Sequence, residues 1–93
     1  MVKRVDLTKS AQKDLRACPT QVQKKFRAWV AAVELVGVEE VRKTPGYHDE
    51  PLAGDRVNQR SIRLNQDYRA FYKVLKDGTV ELLSVIEINK HKY

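Results

Sequence analysis

Three apolar segments, RSIRL (60–64), YRAFYKVL (68–75) and TVELLSVIEIN (79–89), are separated only by Asn65-Gln66-Asp67 and Lys76-Asp77-Gly78. Their β-branched and aromatic content, and the alternation in the first two, mark them as strands. Connections this short join antiparallel neighbours, because a parallel pair needs a crossover of about a dozen residues or more. Asp-Gly between apolar runs is also a hairpin signal. The segment 60–89 is therefore committed to an antiparallel meander. Its last strand is apolar on both faces, through Val80, Leu82, Leu83, Val85, Ile86 and Ile88. It is expected at the centre of the sheet, covered on both sides.

Helices precede the meander. In TQVQKKFRAWVAAVELV (20–36), Val22, Phe26, Trp29, Val30, Val33 and Val36 recur at helical spacing, with Lys24, Lys25 and Arg27 largely off that stripe. Gly37 suits its C-terminal cap. KSAQKDLRAC (9–18) predicts a shorter helix capped by Thr8, with Ala11 and Leu15 one turn apart. Pro19 fits the first position of the helix that follows. VKRVDL (2–7) reads as a short strand. VEEVRK (38–43) adds a helical turn before Thr44-Pro45-Gly46, and YHDEPLAGDR (47–56) reads as irregular. The resulting order, β-α-α-β-β-β, predicts an α+β fold: two N-terminal helices packed on a small, mainly antiparallel, twisted sheet.

At 93 residues the expectation is one domain, 1–93. Cys18 is the single cysteine and cannot form an internal disulfide; with two histidines beside it, no zinc or other metal site is expected. No apolar run approaches the ~20 residues that cross a bilayer, and MVKRVDLTKS has no signal-peptide pattern. A cytoplasmic protein folded by its core alone is the expectation. Lysine and arginine number 18 against 12 acidic residues, a formal net charge of +6. That excess suits a polyanionic partner, nucleic acid or an acidic protein.

The positive charge is concentrated oddly. Arg60, Arg63 and Arg69 all fall in the first hairpin. Side chains alternate along a strand, so Ile62 and Leu64 share one face and Ser61 and Arg63 the other. With Asn65–Asp67 as a three-residue loop, Leu64 faces Tyr68 and Arg63 faces Arg69. Directly opposed side chains have Cβ atoms about 5 Å apart, and guanidiniums do not shed their protons. Such a pair needs an anion. Glu50, Glu81 or Glu87 would supply it internally, a bulge would break the pairing, and a bound phosphate would supply it from outside. The segment INKHKY adds Lys90, His91, Lys92 and Tyr93 directly after the last strand. Histidine titrates near neutrality and can act as general acid or base.

EPLAGDRVNQRSIRLNQDYRAFY, followed by a final strand and HKY, resembles the RelE/ParE toxin superfamily of bacterial toxin–antitoxin systems. LAGDR, SIRLN and YR are similar to its HigB-type members, and EPL with the closing His and Tyr to its YoeB-type members. The element order matches over nearly the whole chain. The resemblance implies a RelE-like fold and, for RelE-type members, metal-independent cleavage of messenger RNA in the ribosomal A site without a cofactor. There the ribose 2′-OH attacks the adjacent phosphate. It further implies Glu50 as candidate base, Arg69 and Arg63 at the phosphate, His91 as the C-terminal histidine and Tyr93 as the terminal tyrosine. Acid and base roles are exchangeable between Glu50 and His91. Lys92 separates His91 from Tyr93, which are adjacent in the YoeB type. His48 and Asp49 compete with Glu50 for entry to the site, and pairing of Glu50 with Arg56 or Arg42 is the structural alternative.

Arg56, Arg60, Lys90 and Lys92 are expected to bind RNA. Lys3, Arg4, Lys9, Lys13, Arg16, Lys24, Lys25 and Arg27 either contact ribosomal RNA or form a solvated face. The implied partners are a cognate antitoxin protein, messenger RNA and ribosomal RNA, with no membrane. ParE-type members instead poison DNA gyrase by binding, and that is the alternative function.

Overall fold

The computed structural model describes residues 3–88. β1 (Val5–Leu7) leads into α1 (Lys9–Arg16), α2 (Thr20–Val36) and the short α3 (Val38–Val41). A two-residue strand β2 (Glu50–Pro51) follows, then β3 (Arg60–Arg63), β4 (Tyr68–Val74) and β5 (Val80–Glu87). The sheet order is β1-β5-β4-β3-β2. β1 runs parallel to β5, and every other pair is antiparallel. This is the expected RelE-like α+β architecture, with the helical turn expected at 38–43 present as α3 and one short strand, β2, added. Among the described residues, no helix is long and apolar enough to cross a membrane.

Thr8 organises the N-terminal half. Its hydroxyl oxygen accepts from the Ala11 N–H at 3.0 Å, capping α1. The same hydroxyl donates to the Leu83 carbonyl at 3.0 Å, and the Thr8 N–H donates to the Leu82 carbonyl at 3.0 Å. Both acceptors lie where the β4–β5 register shifts, between Phe71/Tyr72 on β4 and Ser84/Leu82 on β5. One threonine thus starts the helix and satisfies carbonyls at a bulge. The Asp14 carboxylate on α1 accepts from the Val85 N–H at 2.9 Å and fastens the helix along β5. α2 begins at Thr20, directly after Pro19, and ends at Gly37, whose φ of 91° is open to glycine at little cost.

The apolar stripe of α2 packs on one side of the sheet. Val22, Trp29, Val33, Ile62, Ala70, Tyr72 and Leu82 are fully buried there. The Trp29 ring lies 5.3 Å from Tyr72 and 6.0 Å from Phe26, centroid to centroid. β5 is an interior strand, between β1 and β4, but the centre of the five is β4. The expectation of cover on both sides is corrected: Ile86 and Ile88 are 40% and 42% exposed. α1 and α2 each have one apolar stripe, and both stripes are spent on the same core cluster. Among the described residues, no α-helix packs on the other face of the sheet.

Candidate functional site

The β3–β4 turn decides which side chains reach the open face. Asn65 Oδ1 accepts from the Asp67 and Tyr68 N–H groups, at 2.8 and 2.9 Å, and holds the three-residue loop. The Leu64 N–H donates to the Tyr68 carbonyl at 2.9 Å. Register follows: Ile62 opposes Ala70 and Arg63 opposes Arg69. Because Leu64 and Tyr68 share a ladder bond, the next pair, Arg63 and Arg69, is of the non-bonded, closer type, with Cα atoms about 4.5 Å apart. The two guanidinium side chains leave the same face side by side, as the sequence predicts.

Their surroundings differ. Arg69 Nη1 donates to Ser61 Oγ at 3.1 Å and lies 3.8 Å from Glu50 Oε1. Ser61 is 2% exposed, so its hydroxyl is a fixed acceptor. Arg63 makes no ion pair among the described residues, and its Nε is buried without a hydrogen-bond partner there. Of the internal acids that would neutralise the pair, Glu81 lies 3.7 Å from Lys73 Nζ and Glu87 opposes Tyr68 on the covered face. Only Glu50 approaches. Among the described residues the cluster has two permanent cations and one mostly exposed carboxylate, a net positive charge on this face.

Glu50 reaches this face because the residue before it is anchored on the other. The Asp49 carboxyl is 2% exposed. It accepts from Arg60 Nε and from the Tyr72 hydroxyl, each at 2.5 Å. Arg42 Nε in turn donates to the Tyr72 hydroxyl at 3.4 Å. Burial, opposed by Arg42 and reinforced by Asp49, pushes the Tyr72 phenol up to about 12. On the extended chain, with Asp49 held inward, Glu50 must point outward; it opposes Ser61 in the β2–β3 ladder. His48 supplies the corner with φ 45° and is exposed. Among His48, Asp49 and Glu50, the structure brings Glu50 to the arginines. Its partner is Arg69, not Arg56 or Arg42.

The other expected site residues fall as follows. Arg60 lies on the helix-covered face in the Asp49 network, apart from Arg63 and Arg69. Arg56 sits on the open face, its Cζ 4.3 Å from the centroid of the Phe71 ring. Lys90, His91, Lys92 and Tyr93 lie outside the described residues. Asp49 and Tyr72, which set the direction of Glu50, carry no signal in the sequence beyond a tyrosine and an aspartate at unremarkable positions.

Residues 5–92 match the family described as the ParE toxin of type II toxin-antitoxin system, parDE. The chain belongs to the RelE/ParE toxin superfamily. Its fold is shared with solved toxins. The archaeal RelE of the RelE–RelB complex from Pyrococcus horikoshii OT3 is 25% identical, with a TM-score of 0.73 over 97% of this chain and 99% of that one. The YoeB/ParE toxin from Agrobacterium tumefaciens is 19% identical, with a TM-score of 0.66 over 90% and 96% of the two chains. A chain of the E. coli DinJ–YafQ toxin–antitoxin complex is 17% identical, with a TM-score of 0.64 over 99% and 100%. At these identities the latter two speak for the fold alone. No curated sequence relative matches. The facing arginines, Ser61 and Glu50 are thus a feature of a RelE/ParE toxin.

Proposed function

We propose that this toxin is a metal-independent endoribonuclease that cuts messenger RNA in the ribosomal A site. The observation that carries the reading is the Arg63–Arg69 pair in direct register on the open sheet face, with Glu50 as its one ion-pairing carboxylate among the described residues. In the proposed step the ribose 2′-oxygen attacks the adjacent phosphorus. A base takes the 2′-OH proton as the P–O5′ bond breaks and an acid protonates the departing oxygen, leaving a cyclic phosphate and a 5′-hydroxyl. Glu50, 3.8 Å from Arg69, suits the base. Arg69 and Arg63 stabilise the charge that develops on the equatorial oxygens. His91 suits the acid and Tyr93 a supporting role. His91 lies three positions beyond Ile88, a reach of at most about 11 Å, and Ile86 opposes Arg69 in the β4–β5 ladder.

The basic residues of α1 and α2, Lys9, Lys13, Arg16, Lys24, Lys25 and Arg27, are exposed and suit ribosomal RNA phosphates. A cognate antitoxin is the expected protein partner, since solved relatives of the same fold occur in complexes with RelB and with DinJ. This activity belongs in the cytoplasm. Primer extension on cellular messages after brief induction tests the reading. Discrete cuts in translated messages are expected; intact messages during growth arrest would sink it.

The match of residues 5–92 to the ParE family favours a second reading, poisoning of DNA gyrase by binding. That activity does not require the arginine pair to act on a phosphate. It predicts DNA damage with intact messages, and an unaltered growth arrest when Arg69 is replaced.

A further inference from the structure

Phe71 is an aromatic ring on the face of the sheet that no α-helix covers among the described residues. Its cross-strand partners are Ser61 on β3 and Ser84 on β5, so both flanks are small. The ring is nevertheless only 8% exposed. The guanidinium of Arg56 lies over it, 4.3 Å from its centroid. Arg56 is itself exposed and makes no ion pair among the described residues.

The turn that carries Arg56 is built before any ligand arrives. The Leu52 N–H donates to the Gln59 carbonyl and the Gln59 N–H to the Arg56 carbonyl, both at 2.9 Å. Arg56 Nε donates to Gln59 Oε1 at 2.9 Å, which fixes the guanidinium. Gly54, at φ 67°, makes the reversal that presents it. Phe71 and Arg69 are two residues apart on one strand, hence on one face and about 7 Å apart along it. A ribose separates a phosphate from its base by a similar span.

We infer that Arg56 and Phe71 form a nucleobase-stacking subsite beside the Arg63–Arg69 anion seat, and that its ligand is a base of single-stranded RNA whose phosphate rests on the arginines. The inference deepens the nuclease reading and rests on it. Bases of unpaired RNA are held by stacking on aromatic rings or guanidinium planes, and here a ring backs a guanidinium. An acidic peptide would use the charge of Arg56 but not its plane. Arg56 therefore acts on the base, whereas Arg63 and Arg69 act on the phosphate.

The test is binding of the 93-residue chain to a 2′-O-methyl trinucleotide, which keeps bases and phosphates but lacks the attacking hydroxyl. The comparison ligand is the same backbone with abasic sugars. The base-bearing ligand is expected to bind about fivefold to a hundredfold tighter. Most of that preference should vanish in Arg56→Lys, which keeps the charge and loses the plane; being exposed, Arg56 tolerates the change without unfolding. Equal affinity for the two ligands, or a base preference that survives both Arg56→Lys and Arg56→Ala, overturns the subsite. So does an acidic peptide of equal charge that binds as well as the trinucleotide. Intact cellular messages together with an Arg56-dependent base preference would remove the nuclease reading and support the subsite.

Discussion

β3 and β4 send arginines to both faces of one sheet, and the two faces treat them differently. On the covered side Arg60 meets Asp49, whose carboxyl also takes the Tyr72 hydroxyl. On the open side Arg63 has no acid among the described residues, and Arg69 has a mostly exposed one at 3.8 Å. The difference lies in the acids' access to water: the Asp49 side chain is 2% exposed and the Glu50 side chain 62%, whereas the two arginines, Arg60 at 26% and Arg69 at 19%, are alike. A charge under the helices must be neutralised within the fold, because leaving it unpaired there costs several kcal/mol. A charge on the open face can be left to solvent, salt or a ligand. The first arrangement holds a loop in place, while the second keeps a binding site available.

That contrast can be broken from either side. Arg69→Ala should cut message cleavage by about a hundredfold to a thousandfold, with unfolding midpoint and antitoxin binding nearly unchanged. Cleavage kinetics beside a denaturant titration would check it; a large loss of stability would show that Arg69 belongs structurally with Arg60. Asp49→Ala should do the reverse to the fold, destabilising it by about 2–4 kcal/mol, discounted because Arg60 is partly exposed. An unchanged urea midpoint would mean the covered network is not structural.

Alkaline titration sharpens the same contrast. The Tyr72 phenol is held up at about 12 in the folded chain, against 10.0 for an ordinary tyrosine. The folded state keeps this proton longer than the unfolded state does. Its contribution is therefore complete below about pH 10 and lost as pH rises toward 12, about 2–3 kcal/mol in all. Thermal melts between pH 9 and 12 should show that fall, and Tyr72→Phe should flatten it. The smallest effect is expected at Arg63. Arg63→Met removes one of two opposed like charges and should leave stability unchanged or raise it by up to about 1 kcal/mol. A clear loss would reveal an internal partner for this arginine.

The pairing of Arg63 with Arg69 was legible because it depends only on strand alternation and loop length, both written in IRLNQDYR. The long helix 20–36 was legible for the same reason: its apolar spacing is local and uninterrupted, and Gly37 closes it. β2 was not. Two residues, one of them Pro51, offer no period, and the strand exists only because β3 is there to pair with it. The one-sided cover of β5 also escaped the sequence, since its apolar residues cannot say which of their faces the helices choose. The direction of Glu50 depends on Asp49 finding Tyr72, a contact across 23 residues that no local pattern encodes. Nothing local marks Phe71 as a ring on the open face, because burial by an arginine looks the same in sequence as burial by a helix.

Asp49 and Glu50 stand in fixed alternation, one anchored below the sheet and one displayed above it. Adding or deleting a single residue between His48 and Pro51 would exchange their sides, hiding the acid meant for the surface. Between Leu52 and Gln59, where a backbone bond closes the excursion, extra length alters only the loop's reach. Variation in loop size is thus affordable on one side of Leu52, while on the other the chain has no freedom of phase.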